Sequence, residues 1–180
     1  MVRANLFRNN GDASEEEEKR IMHYSNLHKI LLVGEGDFSF AACLAQALGS
    51  AVNIVATSLD SQVSLKLLYK RAGANMEILQ GLGGTILHET LMFQDIATDD
   101  VAVGFFFRRH QELVRGFLKN AKSMLTRNGE IHVTHKTAYP FSKWEIEKLA
   151  EEDEELHLVE KAKFSDSDYP GYVNKRGDGS

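Results

Sequence analysis

An apolar run, Lys29-Ile30-Leu31-Leu32-Val33, breaks off into Gly34-Glu35-Gly36-Asp37, and a stretch of small and apolar residues from Ser39 to Leu48 follows at once. No other feature of this chain restricts its fold so strongly. A strand that ends in a glycine pair and feeds a helix defines a tight βα turn. Glycine reaches positive φ without steric cost and leaves no Cβ where a ligand must approach. A helix starting beyond such a turn offers backbone N–H groups to a negative or polar ligand group. A glycine pair alone is a weak signal, but a second apolar segment, Asn53 to Thr57, ends in Ser58-Leu59-Asp60. Asp60 stands 24 residues beyond Gly36. In a doubly wound sheet, an acid near that spacing at the tip of the second strand takes ribose hydroxyls. Asp60 also suits the N-cap of a helix starting at Gln62, and the two roles are compatible.

The rest of the chain alternates between strand and helix patterns. Helices are expected at Ser39–Leu48 and from Gln62 to about Leu82, where Gly81-Leu82-Gly83-Gly84 supplies a stop. A third helix is expected from His110 to Leu125, with Leu113, Val114, Phe117, Ala121, Met124 and Leu125 at helical spacing on its buried face. A fourth is expected at Ser142–Glu151, with Ser142 as N-cap and Glu145 completing a capping box. Strands are expected near 29–33, 53–57, 85–88, 101–107, 130–135 and 156–162. This alternation implies a mostly parallel sheet with helices on both faces, a Rossmann-like α/β fold. Residues 1–27 read as a flexible lead with a short helix at Glu15–Met22, residues 28–165 as the domain, and 166–180 as a turn-rich tail.

The formal net charge of −5 argues against bulk electrostatic attraction to nucleic acid. The charge is uneven, however: Arg108 to Lys148 holds nine Lys or Arg against four acids, while acids gather at Glu15–Glu18 and Glu151–Glu155. The basic stretch reads either as solvated helix surface or as a face toward RNA phosphates. Cys43 is the single cysteine, expected in the core, and a reducing intracellular compartment fits. There is no run of 18 apolar residues, so no membrane span is expected. Met1–Ser14 lacks an apolar signal region, so secretion is not expected either. His132 and His135, three apart on an expected strand, point to opposite faces, and no metal site is expected. His135 and Lys136, at the C-terminal end of that strand, and Tyr139 beyond it are candidates for touching a substrate base.

Four stretches in order carry a family resemblance: Val33-Gly34-Glu35-Gly36-Asp37-Phe38-Ser39-Phe40, Ala56-Thr57-Ser58-Leu59-Asp60-Ser61, His132-Val133-Thr134-His135-Lys136-Thr137 and Asp168-Tyr169-Pro170-Gly171-Tyr172. Together they resemble the eukaryotic large-subunit (25S-type) rRNA uridine-N3 methyltransferase-like family, the plant branch in particular, across residues 15 to 178. The resemblance implies a class I methyltransferase fold, S-adenosylmethionine as cofactor, and rRNA within a pre-ribosomal particle as partner, in the cytoplasm or nucleolus. It implies that Gly34, Glu35, Gly36 and Asp37, with Phe38 beside them, form the methionine end of the cofactor site, and that Asp60 holds the ribose. The chain departs from the family pattern by lacking the Asn-Phe-Pro-His that normally ends the fourth strand; His88 runs through Glu89–Asp100 into Val101–Phe107 and on to Arg108. Val101–Phe107 is expected to replace that strand. The departure leaves two readings, an active enzyme and a non-catalytic cofactor-binding or RNA-associated derivative. A dinucleotide-dependent oxidoreductase ranks below both, because the full three-glycine fingerprint is absent.

Overall fold

The computed structural model describes residues 17–89, 103–126, 129–139 and 141–174, with 103–109 described as backbone alone. These residues belong to two compact units, one holding 17–89 and 165–174 and the other holding those from 103 to 164.

The first unit opens with a short antiparallel hairpin, β1 (Arg20–Ile21) and β2 (Tyr24–Ser25). A flexible lead with a helix over Glu15–Met22 was the expectation for this stretch. Residues 1–16 lie outside the described residues; from Arg20 the hairpin stands where the end of that helix was expected, and Ser25 is fully buried with its hydroxyl donating to Glu18. Three parallel strands follow, β3 (Ile30–Leu32), β4 (Ile54–Thr57) and β5 (Thr85–Leu87), in the spatial order β3-β4-β5. Leu32 pairs with Ala56, and Thr57 pairs with Leu87. Parallel neighbours need a crossover, and helices supply both. Between β3 and β4 runs α1 (Ser39–Leu48), which buries Ala41, Ala42, Cys43, Leu44, Ala45 and Leu48. Its run of small residues lets the helix lie close against its neighbours.

Between β4 and β5 the single expected helix is two, α2 (Gln62–Leu68) and α3 (Ala72–Gly81). The break falls at Tyr69, which takes extended dihedrals, φ −128° and ψ 110°. No glycine or proline marks it. The two pieces bury Leu65 on one side of the break and Ala72, Met76 and Leu79 on the other.

The second unit is organised by α4 (Val103–Met124). Val101–Phe107 was expected as a strand. Residues 101–102 lie outside the described residues, and from Val103 onward the backbone is helical and continuous with the helix expected from His110. A short apolar run cannot be told from a helical one by period alone, and extending an existing helix needs no new nucleus. Val114 and Leu118 are buried against Ile131, Ile146, Leu149 and Ala150, with Phe117, Ala121 and Leu125 packed around them. Leu113 and Met124, assigned to the buried face by spacing, are exposed, and Leu118 takes the central place.

The segments expected as strands at 130–135 and 156–162 form no ladder among the described residues. Ile131, Val133 and Leu156 join the hydrophobic cluster from irregular backbone instead. The capping box at Ser142 does not form. Phe141–Trp144 is a 3₁₀ turn, Glu145 is left-handed at φ 49°, and the helix proper, α5, spans Ile146–Glu151. This tighter entry lets the Trp144 ring stack on His110 at 4.6 Å while Ile146 and Leu149 stay buried.

Candidate functional site

The C-terminal ends of β3 and β4 meet at a pocket of about 350 Å³ lined by Gly34, Glu35, Gly36, Ser58, Leu59, Asp60, Tyr69, Tyr172, Val173 and Asn174. In open α/β sheets, ligands bind outside the carboxyl ends of the strands. The ladder itself places the two walls: the Glu35 amide donates to the Thr57 carbonyl at 2.8 Å, and the Ser58 amide to the Leu87 carbonyl at 3.0 Å. Gly34 sits at φ 77° with open space where a Cβ would project, so it serves the turn by its dihedral rather than by its size.

The start of α1 is not the bare donor set expected from the sequence. The Asp37 carboxylate accepts from the Ser39 amide at 3.1 Å, and the Glu35 carboxylate accepts from the Ala41 amide at 3.3 Å. Two acids from the turn therefore occupy the helix N-terminus, where the macrodipole favours negative charge. An anionic ligand would compete with them. Burial pushes the Glu35 carboxyl up to about 7, with the neighbouring Asp37 charge adding to the rise and the Ala41 amide opposing it.

Asp37 and Phe38, placed with the binding residues by the sequence reading, lie beneath the pocket rather than on its wall. Asp37 is buried, and its carbonyl accepts from the Asn75 amide group at 2.8 Å, tying the turn to α3. Phe38 is fully buried in a left-handed conformation, φ 57°, with its ring edge-on to His88 at 5.9 Å. A bulky residue at positive φ is a strained choice held by its surroundings, costing on the order of 1–3 kcal/mol.

Asp60 reaches the pocket, and it is not the cap of α2. Ser61 holds that position, its hydroxyl accepting from the Ser64 amide at 3.2 Å, while the Asp60 amide is held by Ser58 Oγ. The Asp60 carboxylate is thus relieved of the structural role that competed for it.

Tyr69, Val173 and Asn174 were not among the residues picked from the sequence, and Tyr172, read there within the motif Asp168–Tyr172, was not assigned to this pocket. The readable signal for the latter was Pro170-Gly171 between two tyrosines, a type II turn signature. Its docking on α1 has no local signal.

His135, Lys136 and Tyr139 belong to the second unit. His135 Nδ1 lies 2.8 Å from the Lys136 carbonyl, the Lys136 ammonium sits 5.0 Å from the centre of the Phe141 ring, and Tyr139 is largely exposed. His132 lies 3.5 Å from the Glu130 carboxylate. The basic stretch is partly neutralised within its own unit: Arg115 makes a two-pronged pair with Glu152 at 2.7 and 2.9 Å, and Lys122 pairs with Asp153 at 2.9 Å and with Glu155. Among the described residues no group of three His, Cys, Asp or Glu is placed to hold a metal, and no helix is long and apolar enough to cross a membrane.

A parallel βα unit with a glycine turn, an acid beyond the second strand and a pocket between them defines an α/β protein with a candidate ligand site at its strand tips. The chain belongs to the rRNA (uridine-N3-)-methyltransferase BTM5-like family, whose sequence profile matches residues 31–92 and 93–176. It is 50% identical over 188 residues to the uncharacterized protein At4g26485 of Arabidopsis thaliana, covering 92% of this chain and 90% of that one. It is 42% identical over 200 residues to heavy metal-associated isoprenylated plant protein 41 of the same plant, covering 99% of this chain and 39% of the relative. A ferredoxin-fold anticodon-binding domain-containing protein 1 homolog of Mus musculus is 30% identical over 120 residues, covering 59% of this chain and 19% of its own length. No solved structure matches.

Proposed function

We propose that this chain is an S-adenosylmethionine-dependent methyltransferase of class I architecture that acts on uridine N3 in large-subunit rRNA. The observation that carries the reading is the convergence of Gly34, Glu35, Gly36 and Asp60 on one pocket at the ends of adjacent parallel strands. In this reading Gly34–Gly36 take the methionine end and Asp60 holds the ribose by charge-assisted hydrogen bonds. Asp37 and Phe38 brace the turn from below. The cofactor supplies an electrophilic methyl group, and the protein's share is alignment and exclusion of water. A uridine must be single-stranded or flipped out of its helix before N3 can be reached, and N3 loses its proton as the methyl group arrives. The natural surroundings of such a substrate are pre-ribosomal particles, in the cytoplasm or nucleolus, and His135, Lys136 and Tyr139 are the residues we assign to touching it.

One observation favours a second reading, a cofactor-binding protein without activity. Among the described residues β3 pairs with β4 alone, Leu31 and Val33 keep 41% and 36% exposure, and Val103–Phe107 is helix rather than a substitute for the family's fourth strand. Calorimetric titration of the full chain with S-adenosylmethionine and S-adenosylhomocysteine, followed by a methylation assay on protein-free large-subunit rRNA, separates the readings. Micromolar binding with methyl transfer supports the enzyme, and binding without transfer supports the second reading. A folded chain that binds neither ligand refutes both.

A further inference from the structure

The pocket has a wall that the glycine turn and Asp60 do not supply. Residues 169–172 form a turn in which Gly171 takes φ 89° and the Tyr172 amide donates to the Tyr169 carbonyl at 3.1 Å. With Pro170 at the second position this is a type II turn. It sets Tyr169 and Tyr172 against the same side chain: their rings lie 4.9 and 5.4 Å from that of Phe40 on α1, and Tyr24 of the hairpin closes the cluster at 6.4 Å from Tyr169. Tyr169 is 2% exposed.

Beyond the turn the backbone is clipped in place. Ser39 Oγ accepts from the Val173 amide at 3.2 Å and donates to the Val173 carbonyl at 3.3 Å. Ser39 is the first residue of α1, two residues past the last turn acid, so the clip fixes this strap over the glycine-turn end of the pocket. The side chains that emerge there, Tyr172 and Asn174 with Val173 between them, line the same space as Gly34–Gly36.

We propose that the strap 169–174 is an integral wall of the ligand site and that Tyr172 contacts the amino-acid half of an S-adenosyl ligand. The inference rests on the cofactor reading above and adds to it a residue and the ligand portion it recognises. The argument is positional. If Asp60 holds the ribose, the ligand's other half extends toward Gly34–Gly36, and the strap covers that end. Burial, then the charges of Asp166, Glu35 and Asp37, push the Tyr172 phenol up to about 12, so it is a neutral donor at physiological pH, suited to a ligand carboxylate. Ser39 is a positioning residue: it holds the strap and touches no ligand.

The test uses the full chain and two ligands that differ in the amino-acid half, S-adenosylhomocysteine and 5′-methylthioadenosine. Tyr172→Phe keeps the ring packed on Phe40 and removes only the hydroxyl. It should weaken S-adenosylhomocysteine about tenfold, as expected for one hydrogen bond to a charged group, and leave the smaller ligand unchanged. Amide hydrogen exchange of the wild-type chain should slow in 169–174 when S-adenosylhomocysteine is added, and Ser39→Ala should speed it in the free protein. An unchanged affinity for S-adenosylhomocysteine in a folded Tyr172→Phe chain overturns the contact, as does an equal loss for both ligands. Exchange in 169–174 that ignores a bound ligand overturns the wall. If the wild-type chain binds neither ligand, the cofactor reading falls and this inference falls with it.

Discussion

Replacing Glu35 by glutamine removes a charge from a place where charge is costly. The half-buried Glu35 carboxyl rises from 4.5 to about 7 through desolvation and the neighbouring Asp37 charge, while the Ala41 amide gives it only partial compensation. A carboxyl whose folded value is raised leaves the fold undisturbed below its unfolded value and weakens it as the pH climbs from there through the folded value. The window here runs from about pH 4.5 to about pH 7. At 1.36 kcal/mol per unit, the loss across that window is up to about 3 kcal/mol. Glutamine retains a side-chain oxygen for the Ala41 amide and cannot ionise. Urea denaturation of both proteins from pH 4 to pH 8 should therefore give curves that agree at the acid end and separate steadily above it, the variant being the more stable by up to about 3 kcal/mol at pH 8. Two curves that stay parallel over the whole range would refute the reasoning, since Glu35 would then titrate normally.

Three further substitutions divide binding from folding. Asp60→Ala should weaken S-adenosylmethionine tenfold or more in calorimetry while changing stability by less than about 0.5 kcal/mol, because Ser61 and not Asp60 caps α2; full affinity in the variant would reject its role. Ser61→Ala should do the reverse, lowering stability by about 1 kcal/mol with affinity preserved, and a melt identical to wild type would show the cap to be idle. Asn75→Ala strands the Asp37 carbonyl and should lower stability by about 1–3 kcal/mol, measured in urea; no change would mean that the turn is held by its own acids alone.

What the sequence disclosed follows how local each determinant is. The β3 turn, α1 and β4 are set by contiguous residues, and the structure has them where the pattern placed them. Asp60 was legible because spacing along a βαβ unit fixes position at strand tips. The break at Tyr69–Arg71 was not, since it follows from burying Leu65 and Ala72 on separate helices and leaves no Gly or Pro behind. Val103–Phe107 misled because length and apolarity fit strand and helix alike. Glu35 and Asp37 were read as ligand-facing, but acids placed before a helix also satisfy its first amides, and the geometry shows that second use. Tyr172–Asn174 were invisible as pocket residues because their partner, Ser39, is 134 residues away in the chain.

That separation has a consequence for synthesis. A ribosome finishes β3, α1, β4 and β5 long before it reaches Tyr172, and at ~5–20 residues per second the delay between residues 90 and 172 is roughly 4–16 s. Throughout that interval Phe40 and Tyr24 have each other, at 5.9 Å, but neither Tyr169 nor Tyr172 to pack against, and the pocket stands open on one side. The nascent protein thus carries an apolar patch that waits for Tyr169 and Tyr172 to cover it, and the pocket gains its strap wall only after residues 169–174 have left the ribosome.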